Sequence, residues 1–438
     1  MSYTEFGTDS MKNILILSHS DPGKTAGILS MDVYRSIEKM PEFHVEMISN
    51  LPNTSPVKFE GVRSIWSKRA YELSRFPTRV RKKINRITGS GKVLATDPKY
   101  CVLQHGLDKE NKMTSKIIRK LRKKPDVILV TFMQGFLTFK NLLELHQEFN
   151  CKIIVYMMDM APLTGGCHYA WDCTRYFNNC GKCPAYYSET ENDQSRSNWE
   201  FKKASISKTP IELIGGSQWL LDQALKSGLF KDCKWHKLFT PIDSDLFKPR
   251  PKHDARKQLG IPVENHVIFF GANSVTEERK GFRFLLEALE QLNNLLSETD
   301  RKVHLAIAGS GMPDQEFPLE HTALGHLSHQ QLAMAFAAAD IFVSPSIEDS
   351  GPMMVNQSIM AGTPVVAFKT GVALDLIDDG KTGFLAECGN SEQLAEAIYK
   401  ILTMSAPDQE GMRENCRLLG VSSMSIECFG TGLKNCLV

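Results

Sequence analysis

Two series of short apolar runs, each run set off from the next by a polar or amphipathic segment of helical length, organise this chain. In the first series, residues 13–18, 43–48, 127–131 and 152–157 read as buried strands. Helices are expected over 26–40, 115–124 and about 139–149. In the second series, 266–270, 304–308, 341–343 and 365–368 are the strands, and 282–295, 330–339 and 391–402 the helices. Strands that are apolar throughout, rather than alternating, are those buried on both faces. Their alternation with helices predicts an α/β chain with doubly wound parallel sheets. Ligands of such sheets sit at the carboxyl ends of the strands. Between the series, at 212–220, a further strand leads into a helix capped by Ser217. Proline and charge then become dense from Pro241 to Pro251, which places the domain boundary there. The expected units are 1–245 and 246–410, followed by a segment 411–438; a length of 438 residues suits two domains.

Charge is distributed unevenly. Residues 1–245 carry 36 Lys+Arg against 26 Asp+Glu, and the remainder 16 against 24, beneath a net charge of only +2. The basic excess peaks over 61–92, where ten basic residues face Glu72 alone and Trp66, Tyr71 and Phe76 interleave with them. That composition suits either contact with an anionic membrane surface or an ordinary solvated segment. No nucleic-acid motif accompanies it. The polar first residues and the lack of a long apolar run lead to the expectation of a cytoplasmic protein, peripheral at the inner face of the membrane if 61–92 docks there.

The densest chemistry lies at 340–368. A strand runs into Glu348-Asp349-Ser350-Gly351-Pro352, a helix carrying Gln357 follows, and Gly362-Thr363-Pro364 ends it. Pro352 fits the first helical turn and Gly362 the C-terminal cap, so a helix start with free N–H groups stands beside two carboxylates. Such an end suits a phosphate, and a carboxylate beside it can hold the hydroxyls of an attached ribose. Lys280, beside Arg279 and before Gly281 at another helix start, can offer a diphosphate a positive charge. Cys167, Cys173, Cys180 and Cys183 fall in one loop; the readings are a structural zinc site, free thiols or disulfides.

The 340–368 segment resembles the donor-binding signature of the family 4 glycosyltransferases. Counting back from Gly362-Thr363-Pro364, that family's second glutamate falls at Gln357 and its acidic partner at Asp349, with Glu348 one residue out of register. The run from Met158 to Tyr169, with Pro162-Leu163-Thr164-Gly165-Gly166-Cys167-His168-Tyr169, resembles the capsule, colanic-acid and O-antigen subgroup; Met158 stands where that subgroup has histidine.

The resemblance implies a GT-B fold, two Rossmann-like domains facing a cleft, with the tail crossing back onto the first. It implies transfer of a sugar, with retention, from a nucleotide-sugar donor to a glycan or polyprenyl-linked acceptor in surface polysaccharide biosynthesis. No cofactor is expected for catalysis. Donor contacts are then expected from Lys280, Arg279, Gly309, His326, Leu327, Glu348, Asp349, Gly351, Pro352 and Gln357. Acceptor or cleft contacts are expected from His19, Gly23, Gly27 and His168, with Asp159 the candidate catalytic carboxylate. The family's second cation, six residues before the lysine, is Ser274 here, which leaves Arg279, or no second cation, to serve. A nucleotide-sugar epimerase and a nucleotide-sugar-binding protein without turnover are the alternatives.

Overall fold

A computed structural model describes residues 11–55, 57–73, 96–102, 112–297, 299–351 and 353–438. Seven strands form the first sheet: β1 (Lys12–Ser18), β2 (Phe43–Ser49), β3 (Val62–Ser64), β4 (Val127–Phe132), β5 (Lys152–Met157), β6 (Ile211–Gly215) and β7 (Lys234–Lys237), in the order β3-β2-β1-β4-β5-β6-β7. Six form the second: β8 (His266–Ser274), β9 (Val303–Ser310), β10 (His321–Gly325), β11 (Ile341–Ser344), β12 (Val365–Phe368) and β13 (Gly383–Ala386), in the order β10-β9-β8-β11-β12-β13. Every strand pairing within the two sheets is parallel.

The strand order reverses between β1 and β4 in the first sheet and between β8 and β11 in the second. At such a reversal the loops leaving the two neighbouring strands diverge to opposite faces and open a crevice. The loop after β8 carries Arg279 and Lys280, and the loop after β11 carries Glu348 to Gly351. Topology alone therefore brings together two segments some 70 residues apart in sequence.

Helices cover both faces of each sheet. The helix Phe282–Leu296 buries Leu285, Leu289 and Leu292 against Ile268, Phe270 and Ile307. The helix Thr25–Glu38 buries Met31, Val33 and Ile37 with Ile14 and Ile16. Two strands of chain join the sheets side by side: Ile242 N–H donates to Met424 O at 2.8 Å, and Ile242 bridges Ser425. The helix Ala406–Met424 anchors to the second unit, with Arg417 Nη1 donating to the carbonyls of Phe247 and Met360, each at 2.7 Å. The last helix, Ile426–Leu437, lies on the first. Phe429 stacks on Tyr156 with ring centroids 5.8 Å apart, and Leu433 and Leu437 are buried beside Ile14 and Met47.

The basic stretch expected to meet a membrane lies outside the described residues from 74 to 92. In the part that is described, Ile65 packs on the core and Lys116 Nζ sits 4.2 Å from the Trp66 ring centroid, so both apolar side chains are engaged within the chain. The basic helix expected over 115–124 is shorter, Met113–Ile118. Beyond it Arg119, Lys120, Arg122, Lys123 and Lys124 would crowd like charges at helical spacing. Among the described residues, no helix is long and apolar enough to cross a membrane.

Candidate functional site

A cavity of about 430 Å³ opens at the carboxyl ends of β8 and β11. Its walls include Arg279, Lys280, Gly309, His326, Leu327 and Gln357, and Phe132 from the end of β4 closes it from the first sheet. The backbone builds this wall closely. Gly281 has φ +66°, and a Cβ there would stand 1.8 Å from the carbonyl oxygen of Pro345, so only glycine lets the Lys280 turn approach the β11 loop. Ile347 N–H donates to Arg279 O at 2.9 Å and fastens the same two loops.

Both cations converge on one carboxylate. Asp349 Oδ2 accepts from Lys280 Nζ at 2.6 Å and from Arg279 Nη1 at 2.7 Å, while Oδ1 accepts from Gly351 N at 3.2 Å. Burial alone would push the Asp349 carboxyl up; Lys280 and Arg279, with the hydrogen bonds from Lys280 and Gly351, outweigh it and hold the group below the usual carboxylate range. Glu348 is placed differently. Its Oε1 accepts from Trp171 N at 3.1 Å, and burial pushes its carboxyl up against that hydrogen bond. Neither acidic side chain belongs to the cavity wall. Asp349 thus acts as the internal counter-ion that orients two cations. Gln357, 2% exposed and without a side-chain hydrogen bond among the described residues, is the polar side chain that faces the cavity from the helix Met353–Met360. Pro352, expected at that helix start, lies outside the described residues.

A second, much smaller cavity adjoins Gln357 where the helix Thr25–Glu38 meets the linker, with Asp32, Asp243 and His329 in its wall. Burial, aided by Asp243 and opposed by Arg35, raises the Asp32 carboxyl from 3.8 to about 7. A raised carboxyl contributes stability below its unfolded value and loses it as pH rises through the folded one. The Asp32→Asn variant is therefore expected to show a flatter decline in stability between about pH 4 and pH 7 than the parent, measured by urea unfolding across that range.

The loop after β5 reaches this site from the first sheet. Arg279 Cζ lies 4.3 Å from the Tyr169 ring centroid, and Ser350 Oγ donates to Met158 O at 2.8 Å. Ser217 Oγ donates to Ser350 O, and Gln218 N–H to Asp375 Oδ2 at 2.8 Å. Within the loop, Asp159 Oδ2 pairs with His168 Nδ1 at 3.0 Å and its Oδ1 accepts from Ala161 N at 2.7 Å, with Gln134 Nε2 3.2 Å away. His168 Nε2 is buried and has no hydrogen-bond partner among the described residues. Neither Asp159 nor His168 lines the 430 Å³ cavity.

The remaining expected cleft residues cluster at the first reversal. His19 Nδ1 lies 3.1 Å from Asn50 Nδ2, and burial lowers its ring below the usual imidazole value. Gly27 packs directly on the carbonyl of Asp21, leaving no room for a side chain, and Gly23 is exposed. Sequence reasoning gave no role to Phe132, Tyr169 or Trp171. The signal available was positional: Phe132 ends a switch-point strand, and both aromatic residues of the loop follow the strand-end motif.

The four cysteines of the loop line one cavity of about 20 Å³, together with Arg175 and Tyr176. Among the described residues no disulfide joins any of the four. Burial pushes Cys167 up to about 12 and raises Cys180 and Cys183 as well.

Known proteins resemble the chain in two ways. Residues 264–404, which contain the cavity's loops and helix, match the family described as "Glycosyl transferases group 1". A D-inositol 3-phosphate glycosyltransferase of Corynebacterium aurimucosum is 30% identical over 176 residues, covering 36% of this chain and 41% of that one. Its counterpart from Mycobacterium tuberculosis is 31% identical over 179 residues, 38% and 35% of the two chains. The matched stretch thus spans only about two-fifths of these curated relatives. Sucrose-phosphate synthase of Thermosynechococcus elongatus superposes with a TM-score of 0.64 at 16% identity, over 97% of this chain and 98% of that one. Anabaena Alr3699/HepE, solved in complex with UDP, gives 0.62 at 15% over 97% and 99%. The chain therefore has the two-sheet GT-B fold, and its residues 264–404 match the family model of the glycosyl transferases group 1.

Proposed function

We propose that the protein transfers a glycosyl group from a nucleoside-diphosphate sugar, held in the 430 Å³ cavity, to an acceptor bound against the first sheet. The observation that carries this reading is the pair Lys280 and Arg279, oriented by Asp349 on the wall of a cavity at the β8–β11 reversal. Breaking the bond between the sugar and the diphosphate leaves negative charge on the departing phosphate. Cations fixed in advance stabilise that charge without reorganising. Because Asp349 already shares both cations, the diphosphate replaces or joins an existing ionic partner, and desolvation of the cations is largely complete before it arrives. Gln357 can meet the ribose or sugar hydroxyls as donor or acceptor. The match of 264–404 to a glycosyltransferase family supports the same donor class.

Uridine nucleotides are the first donors to try, because a structural neighbour is solved with UDP and UDP-glucose. For the acceptor, the resemblance of residues 158–169 implies a glycan or lipid-linked sugar of surface polysaccharide synthesis, with retention, while the relatives' names supply D-inositol 3-phosphate as a second class to test. Acceptor-dependent release of UDP from UDP-sugars, followed on full-length protein, tests the reading. An altered sugar released without acceptor would favour the epimerase, and binding without turnover across the acceptor panel would favour a binding protein. The Gln357→Ala variant is expected to lose about 1 kcal/mol of donor affinity, roughly fivefold, in equilibrium binding of UDP-glucose. An unchanged affinity would remove Gln357 from the donor site.

A further inference from the structure

We propose that Cys167, Cys173, Cys180 and Cys183 form a structural zinc site that pins the loop after β5. The four thiols belong to the wall of one small enclosed space, shared with Val102, Ala170 and Tyr176, whose volume of about 20 Å³ takes a single ion or one water. A mostly apolar wall gives water few partners. Four sulfurs suit a soft tetrahedral ion well. As they stand, no group of three or more His, Cys, Asp or Glu among the described residues is placed to hold a metal ion. Closing the set at a zinc–sulfur distance of about 2.3 Å asks the four thiols to turn inward into the space they line.

Charge supplies an independent observation. Four thiols that bind Zn²⁺ release four protons and leave a tetrathiolate of net charge −2. Two cations stand ready for it. Arg175 lines the same space, and the Lys202 ammonium, 1% exposed, lies within electrostatic reach of Cys167 and Cys180. Neither cation is paired with a carboxylate among the described residues. Lys202 Nζ instead donates to the carbonyls of Ala161 and Thr164, at 2.6 and 2.7 Å. A buried ammonium hydrogen-bonded to two carbonyls calls for a counter-charge close by. A neighbouring dianion provides that counter-charge.

The loop also needs a staple. From Ala161 to the helix Gln194–Ile206 it forms only three short 3-10 turns, Ala161–Leu163, Arg175–Phe177 and Pro184–Tyr186. Irregular stretches of that length are uncommon in compact domains unless tied down. Four side-chain-bearing residues in it, Trp171, Cys180, Lys182 and Tyr187, have φ between +40° and +56°, a region such residues rarely adopt. The same loop delivers Tyr169 to Arg279 and Trp171 to Glu348, so the ion would hold the first-sheet side of the donor site in place.

The site is tested by metal analysis of the full-length protein, purified without chelator under reducing conditions. We expect about one zinc per chain, released when four thiols are titrated with a mercurial reagent. Cobalt substitution is expected to give the intense visible absorption of tetrahedral sulfur coordination, abolished in Cys180→Ser and Cys183→Ser and retained in the distant Cys388→Ser. Zinc content below a tenth of an ion per chain in folded protein, iron in its place, or disulfides among the four cysteines would overturn the proposal. If the serine variants do not fold, the zinc and cobalt measurements on the parent protein still decide it. These readouts involve no glycosyl transfer, so the proposal and the donor-site reading stand or fall separately.

Discussion

Lys280→Ala is expected to weaken binding of UDP about 30- to 150-fold, the loss of a charge-assisted contact of about 2–3 kcal/mol in a partly dehydrated site. The expectation rests on geometry. The Lys280 ammonium lies on the cavity wall and is held 2.6 Å from Asp349, so its position is set before any ligand arrives. Removing it leaves Arg279 to neutralise Asp349, which withdraws the second cation from the ligand as well. Lys280→Arg tests position against charge: it keeps the charge but changes its reach, and is expected to recover only part of the affinity. Calorimetric titration of the three proteins measures this. Equal affinities in all three would place the diphosphate elsewhere.

Asp349→Asn is expected to act on stability and affinity in opposite directions. Asp349 is 4% exposed and is the shared partner of two partly buried cations. Removing one partner of such a network leaves uncompensated charge, at a cost of about 3–5 kcal/mol to folding. The freed cations then favour an anionic ligand more strongly, so UDP should raise the variant's midpoint of thermal unfolding by more than it raises the parent's. pH dependence supplies a further check. The folded carboxyl titrates below its ordinary value of 3.8, so its contribution to stability is present above about pH 4 and is lost as pH falls through the folded value. The asparagine variant should lack that part of the acid limb. If its stability matched the parent's at neutral pH, the counter-ion role would be wrong.

Much of this architecture is legible in the sequence because interior parallel strands are buried on both faces. β1, β4, β5, β8, β9, β11 and β12 all appear as unbroken apolar runs. The four strands that escape notice, β3, β7, β10 and β13, are the four sheet edges. An edge strand is short and often half-exposed, and β7, Lys-Trp-His-Lys, carries three basic or titratable residues in four. Hydrophobic pattern offers no signal there.

The site divides along a similar line. Local motif brings out Lys280, Gly309, Leu327 and Gln357, since strand ends and glycine turns mark cavity walls. The partners of Asp349 and Glu348 are not local. Asp349 meets cations some 70 residues away, and Glu348 meets Trp171 across the junction between the sheets. Spacing shows carboxylates beside a helix start; it does not show that one of them is already neutralised. In the structure Asp349 is engaged by two cations, and Gln357 is a polar group on the cavity wall.

A crystal structure of the full-length protein with UDP tests the central claim most directly. The account predicts the diphosphate in the cavity between β8 and β11, within hydrogen-bond reach of Lys280 and Arg279, with Gln357 near the ribose. A diphosphate bound away from those two cations, or a cavity that stays empty at saturating UDP, GDP and ADP, would contradict it.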